Sequence, residues 1–403
     1  MHADSSAAAV SRVGIVGGCG HVGLPLAICL ADAGLDVTSY DVDPAAVATV
    51  MSGRMPFLET GADAVLTRVL AAGTFRASTE PTDLSEVDTV VVVIGTPVDE
   101  HLNPDPNAVV RALEDVVEYL HDGQLIILRS TVFPGVTARV ERSLRERGLQ
   151  IDVAFCPERI AEGKAIEELH TLPQLVGART NDVRLRANSL FEPLGIETVA
   201  VEPEEAELAK LMTNTWRYIK FAAANQFWIM ANNAGLDFSR IQSALTHNYP
   251  RAADMPGAGF AAGPCLFKDT MQLAAFSNNS FALGHSAMLI NEGLPLYVVD
   301  QLERQHDLAD MKVGILGMAF KGESDDTRSS LSYKLRRILR FRAVDVLCTD
   351  PYVTTDATLV PVERLLAEAD VLIIGAPHDE YRTLQTDKPV VDVWNLRGHG
   401  NLV

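Results

Sequence analysis

Basic residues are scarce in this 403-residue chain: 34 lysines and arginines face 53 aspartates and glutamates, for a formal net charge of −19 at pH 7. That balance argues against a nucleic-acid partner, because a phosphate backbone calls for concentrated positive charge. It also means that an anionic ligand must be held by local basic groups and helix N-termini, not by the overall field. Long apolar runs are missing as well. None approaches the ~18 residues of a membrane span, so no membrane partner is expected. Cysteine is sparse and odd in number: Cys19, Cys29, Cys156, Cys265 and Cys348 are scattered, with no CxxC and no zinc-like spacing. The pattern reads as reduced thiols in a cytoplasmic protein, with no metal centre. Residues 1–11 lack a basic segment followed by an apolar stretch, so they read as a disordered arm and not as a signal peptide. Internal repeats and low-complexity tracts are absent too.

What the chain does contain is α/β alternation, over a length too great for one hydrophobic core. The apolar runs that begin at Arg12, Asp36, Thr89 and Gln124 read as buried parallel strands of a doubly wound sheet. The boundaries that follow are a dinucleotide-binding domain over 12–202, a helical connector over 203–300 and a C-terminal α/β domain over 301–403. The connector opens with one long helix from Pro203 to about Ala234, about 50 Å in length. Pro203 suits its first position, Glu204, Glu205 and Glu207 suit the N-terminal dipole, and Gly235 suits the C-terminal cap. Leu208, Leu211, Trp216, Ile219, Phe221, Phe227 and Ile229 give it more apolar surface than one packed face requires, which points to a homodimer, the alternative being that the excess packs only against the chain's own two sheet domains. A second strand–helix alternation starts at Met311 and ends near Val393. The fold class is therefore α/β, with two Rossmann-like doubly wound sheet domains joined by a long central helix.

Chemistry enters at the loops. Gly18-Cys19-Gly20-His21-Val22-Gly23 follows the first strand and opens a helix, the context in which GxGxxG cradles a pyrophosphate. Asp41 ends the second strand 18 residues after Gly23, where a carboxylate accepts from a ribose hydroxyl. No Lys or Arg follows before Arg54 to neutralise a 2′-phosphate, so the reading is NAD and not NADP; the loop alone does not exclude FAD. Ser130-Thr131 and Cys156-Pro157-Glu158 follow later strands at the ligand-binding edge of the sheet. Thr131 and Glu158 there suit the orientation and deprotonation of water, against the alternatives of a helix cap and a surface carboxylate. Lys210 and Asn214 share one helix face, as an oxyanion site or as a solvated face. Gly263-Pro264-Cys265-Leu266-Phe267-Lys268-Asp269 sets a thiol between a turn and a Lys-Asp pair. Such a thiol suits capture of an aldehyde as a thiohemiacetal, oxidation to a thioester and hydrolysis to an acid; the alternative is a buried turn cysteine.

In order, these motifs resemble the nucleotide-sugar 6-dehydrogenase family, the UDP-glucose/GDP-mannose dehydrogenases, which include UDP-N-acetylmannosamine dehydrogenases. The matching set also holds Thr96-Pro97, Ala319-Phe320-Lys321 and Asp325-Asp326-Thr327-Arg328, and it spans Gly18 to about Asn395. The resemblance implies four-electron oxidation of a sugar C6 alcohol to a carboxylate, with two NAD per turnover. It implies that Cys265 is the nucleophile and Glu158 the base for thioester hydrolysis. Lys210 and Asn214 would stabilise charge, and Asp269 with Thr131 would position water. For the cofactor it implies Gly18, Gly20, His21, Val22, Gly23, Asp41, Thr96, Ser130, Thr131, Glu162 and Arg328. For the nucleotide sugar it implies Glu158, Arg159, Glu162, Lys210, Asn214, Phe260, Gly263 and Lys321, with Arg251 reaching across a dimer interface.

The chain departs from the family pattern at His21 (usually Tyr), Ala46 (often basic), Pro264 (usually part of Gly-Gly-x-Cys) and Trp394 (often Arg). The sugar is not specified. Pro157-Glu158-Arg159 and Asn214-Thr215-Trp216-Arg217 look like the N-acetylhexosamine branches, whereas Ala161-Glu162-Gly163 and Lys268-Asp269 look like the UDP-glucose branch. The lean is slightly to an N-acetylhexosamine. Two rivals remain at this stage: a two-electron hydroxyacid-type dehydrogenase, which has no use for Cys265, and a non-catalytic protein that binds NAD and sugar nucleotides.

Overall fold

Strands that are apolar on both faces need helices on both sides, and the first sheet is built that way. The structure, a computed structural model, describes residues 12–96, 98–99 and 104–403. The arm expected at 1–11 and Pro97 lie outside the described residues. Eight strands form the first sheet: β1 (Arg12–Val16), β2 (Asp36–Tyr40), β3 (Phe75–Ser78), β4 (Thr89–Val92), β5 (Leu125–Leu128), β6 (Asp152–Phe155), β7 (Gln174–Ala178) and β8 (Thr198–Val201). Their order is β3-β2-β1-β4-β5-β6-β7-β8. The first six are parallel in doubly wound order. The sheet is not parallel throughout, because β7 runs antiparallel to β6 and β8 then pairs parallel with β7. Positions along β4 and β5 are buried without exception.

The chain divides into two compact units, one ending at Met212 and the other beginning at Thr213. The division falls inside the long helix, Pro203–Asn233, of 31 residues. Its start is boxed: Glu205 reaches back to accept the amide of Glu202 at 2.9 Å. Its end closes with Gly235 at φ 69 and the amide of Leu236 bonded to the carbonyl of Ala231 at 2.9 Å, a left-handed cap that a side chain would strain. Glu207 does something other than favour the dipole. It is fully buried and accepts from the amides of Gly135 (2.6 Å) and Thr137 (2.8 Å) and from the Thr137 hydroxyl (2.6 Å). It thereby caps the helix Val136–Glu146. Burial raises its carboxyl pKa in spite of those donors.

The second unit carries a four-stranded parallel sheet: β9 (Lys312–Leu316), β10 (Asp345–Thr349), β11 (Val371–Ile374) and β12 (Val390–Val391), in the order β10-β9-β11-β12. Both sheets open with the same device. Gly17 (φ 78) donates to the carbonyl of Tyr40, and Gly317 (φ 95) donates to the carbonyl of Thr349, each at 2.9 Å. An aspartate then follows the second strand of each sheet: Asp41 accepts the amide of Cys19 at 2.9 Å, and Asp350 accepts that of Met318 at 2.6 Å. Among the described residues no helix is long and apolar enough to cross a membrane.

Candidate active site

The glycine loop has the shape a pyrophosphate needs. A Cβ on Gly23 would lie 2.4 Å from the carbonyl oxygen of Gly17, so that glycine permits close packing of the helix Gly23–Asp32 onto β1. A Cβ on Gly20 would meet only the Gly17 carbonyl oxygen, at an ordinary contact distance of 3.8 Å, so the backbone there is not tightly packed. These are the separate roles of the packing and approach glycines in a dinucleotide loop. Asp41 is half-buried. Its Oδ2 is fixed by the amide of Cys19 (2.9 Å) and its Oδ1 by that of Asp43 (3.1 Å), an aimed acceptor for a ribose. The residues fit NAD. Val22 is the N-cap of the loop helix, and His21 stacks on Phe57 with ring centroids 4.0 Å apart. At the next sheet edge, Ser130 Oγ accepts the amide of Ile94 at 2.8 Å, and Thr96 Oγ1 donates to the carbonyl of Thr131 at 2.5 Å. Thr131 does not cap a helix; the next one starts at Val136.

Glu158 is buried, not a surface carboxylate. Arg129, at the end of β5 and 2 % exposed, pairs with Glu158 Oε2 and donates to Gln174 Oε1 at 2.7 Å and to the carbonyl of Cys156 at 3.2 Å. Glu158 Oε1 accepts the amides of Arg159 (2.5 Å) and Ile160 (2.7 Å). Arg159 bonds the carbonyl of Pro173, and burial lowers its pKa. Other carboxylates hold the rest of this loop. Glu168 accepts the amide of Ala161 at 2.6 Å, and buried Glu59 accepts those of Gly163 and Ala165, each at 2.8 Å. The half-buried Glu162 sits between these anchors. Arg129 and Glu59 escaped sequence reasoning. The only local signal for Arg129 is a cation directly after the all-apolar Leu125–Leu128. Lys210 is buried on the long helix, not on a solvated face.

In the second unit, Cys265 is exposed, whereas the other four cysteines are buried. Burial pushes the thiols of Cys19, Cys29 and Cys156 up to about 12 and that of Cys348 to about 11, leaving them inert. Cys265 is the N-cap residue of the helix Leu266–Phe276, at the end of the helix dipole that favours a thiolate. One turn on, Asp269 is fully buried. Its Oδ2 accepts from Asn214 Nδ2 at 2.6 Å, and its Oδ1 lies 3.1 Å from Lys268 Nζ. The thiol, Asp269 and Asn214 thus belong to one locality. Gly263, at φ 101, lies under Phe320: a Cβ there would be 2.6 Å from the ring. Lys321 follows, with Nζ 5.6 Å from the centre of the Phe320 ring, and Arg328 pairs with Asp326 at 2.6 Å. Phe260 meets Trp394 edge-on at 6.1 Å. Trp394 also covers Gly259 and donates to the carbonyl of Ile374 at 3.2 Å, so it is a packing residue. Arg251 is exposed and lies 5.8 Å from the Tyr249 ring centre.

Three family models match almost end to end. They describe the NAD binding domain (residues 11–195), the central domain (204–293) and the UDP binding domain (314–398) of the UDP-glucose/GDP-mannose dehydrogenase family. A UDP-N-acetyl-D-mannosamine dehydrogenase of Pyrococcus horikoshii is 31% identical over 386 residues, covering 93% of this chain and 91% of that one. The solved UDP-glucose dehydrogenase of Pyrobaculum islandicum superposes with a TM-score of 0.88 at 27% identity, covering 95% of this chain and 94% of that one. A UDP-N-acetyl-mannosamine dehydrogenase of Staphylococcus aureus gives 0.84 at 26% identity, over 96% and 95% of the two chains. The chain belongs to the UDP-glucose/GDP-mannose dehydrogenase family and is an NAD-dependent nucleotide-sugar dehydrogenase.

Proposed function

We propose that the protein oxidises the C6 hydroxyl of a UDP-sugar to the carboxylate in two two-electron steps, with Cys265 as the covalent carrier. The observation that carries this reading is the placement of Cys265: exposed, at a helix N-terminus, one turn before the buried Asn214–Asp269 pair. NAD, when bound, supplies the hydride acceptor for both oxidations. The glycine loop Gly18–Gly23, Asp41, Thr96, Ser130 and Arg328 hold it. The Cys265 thiolate adds to the C6 aldehyde to form a thiohemiacetal, whose oxyanion Lys210 and Asn214 stabilise. Loss of a second hydride gives the thioester. Asp269 and Thr131 position a water, and Glu158 takes its proton as it attacks the thioester carbonyl. The C–S bond breaks, the carboxylate leaves and the thiolate returns. Glu162, Arg159, Phe260, Gly263 and Lys321 contact the nucleotide sugar.

UDP-N-acetylmannosamine is the first substrate to test, because the relatives at 27% to 31% identity carry that name. The working particle is a homodimer, with Arg251 reaching the partner's substrate. Trp216, Phe227 and Met230 share one face of the long helix and are 58%, 44% and 59% exposed, an apolar stripe that a second copy covers. Purified protein with NAD and a panel of UDP-hexoses and UDP-N-acetylhexosamines, followed by NADH absorbance, tests the reaction, and light scattering tests the dimer. NADH and uronate from at least one sugar are expected. Thermal stabilisation by NAD and UDP-sugars without NADH from any of them would instead favour a non-catalytic binding protein.

A further inference from the structure

We propose that His378 is a positioning residue that locks the loop carrying Lys321 and, through Phe320, the turn before Cys265. The proposal rests on the roles given above to Lys321 and Cys265. His378 is fully buried after β11. Its Nδ1 lies 3.0 Å from the amide nitrogen of Glu323, and an amide can only donate, so Nδ1 accepts. The ring proton therefore sits on Nε2, which donates to Asp350 Oδ2 at 3.0 Å. That same oxygen accepts the amides of Met318 (2.6 Å) and Ala319 (2.9 Å). One imidazole thus joins two anchors, at 318–319 and at 323, and between them lie Phe320 and Lys321.

The second anchor is itself held. Glu323 Oε1 accepts the amide of Asp379 at 2.8 Å, and its Oε2 accepts the Tyr352 hydroxyl at 2.6 Å. Glu323 sits at φ 52, a left-handed conformation that a residue with a side chain keeps only where its surroundings hold it. Gly322 passes so close to the residue before His378 that a Cβ would lie 2.5 Å from the Pro377 carbonyl. At the other end of the relay, the Phe320 ring occupies the space over Gly263, whose amide bonds the Ser329 carbonyl at 3.3 Å. A shift of the 318–323 loop is therefore felt two residues before the thiol. The same arrangement separates the two sheets in function: Asp41 keeps an edge for a ribose, whereas Asp350, its counterpart, is consumed by His378 and backbone amides.

Two substitutions separate the bonds. His378→Gln keeps a donor toward Asp350 but loses the acceptor for the Glu323 amide; His378→Asn keeps that acceptor. His378→Gln is expected to raise KM for the nucleotide sugar about tenfold and to lower kcat, with NAD affinity within about threefold of wild type. His378→Asn is expected to recover most of that loss. Wild-type kinetics in His378→Gln, or equal losses of NAD and nucleotide-sugar affinity, would overturn the proposal. Nitrogen NMR of the His378 ring in the unsubstituted protein gives an answer that needs neither variant nor turnover. The Nε2–H tautomer is expected; an Nδ1–H tautomer or an imidazolium would overturn the latch. A protein that turned over no nucleotide sugar but showed the expected tautomer would sink the functional reading and leave the latch standing.

Discussion

Asn214 Nδ2 donates to Asp269 Oδ2 at 2.6 Å, joining the long helix to the helix that starts at Cys265. Both side chains are buried, so the bond fixes the amide's orientation, and Lys268 Nζ lies 3.1 Å from the other carboxylate oxygen of Asp269. Asp269→Asn keeps the volume and replaces an acceptor oxygen with a donor. We expect kcat to fall about a hundredfold while NAD binding by titration stays unchanged. Normal turnover in this variant would remove Asp269 from the chemistry.

Cys265→Ser is expected to lose acid formation by orders of magnitude and still bind NAD. Glu158→Gln is expected to stall later if Glu158 is the base for water attack, as proposed. Intact-protein mass spectrometry after substrate addition should then show a sugar-nucleotide adduct on Glu158→Gln. Acid made at the normal rate with no adduct would take Glu158 out of that role.

Arg129 and Glu158 form a buried ion pair. Removing the cation alone leaves a carboxylate uncompensated, so Arg129→Met should destabilise the protein by about 3–5 kcal/mol in denaturant titration. Adding Glu158→Gln to Arg129→Met should restore part of that loss, a coupling that a double-mutant cycle measures. Simple additivity would mean that the pair is not coupled.

The Asp350 carboxyl is pulled in two directions. Burial would raise it, but the His378 hydrogen bond and the amides of Ala319 and Met318 work against burial and hold it below the usual carboxylate range. A depressed carboxylate stabilises the fold above its unfolded value, and that contribution fades as pH falls through the folded one. Stability should therefore be lost as pH falls below about 4, in the acid range where the folded carboxyl titrates. Asp350→Asn should be less stable at neutral pH and flatter across that acid window, as followed by circular dichroism.

Much of this molecule was legible because its chemistry is local. Strand, glycines and helix follow one another around Gly18–Gly23, Pro203 and Gly235 bracket one helix, and Cys265 stands between a turn and a helix start. The sequence also singled out Glu158 and Asp269 as candidates but not what holds them. Glu59 bonds amides 104 and 106 residues away, and Arg129 meets Glu158 across 29 residues. Such pairings are set by which strand ends the sheet order brings together, and no spacing rule encodes them. Glu207 shows the opposite error: a carboxylate near the start of a helix reads as a dipole partner, yet the fold buries it as the cap of a different helix. The turn to an antiparallel β7 was equally silent, since a buried strand of either direction has the same apolar pattern.

Counting NADH against sugar consumed is the most direct test of the central claim. The proposed covalent Cys265 intermediate would serve a second oxidation, so two NADH per uronate formed are predicted at completion. A ratio of one, with an aldehyde or ketone as the product, would contradict it.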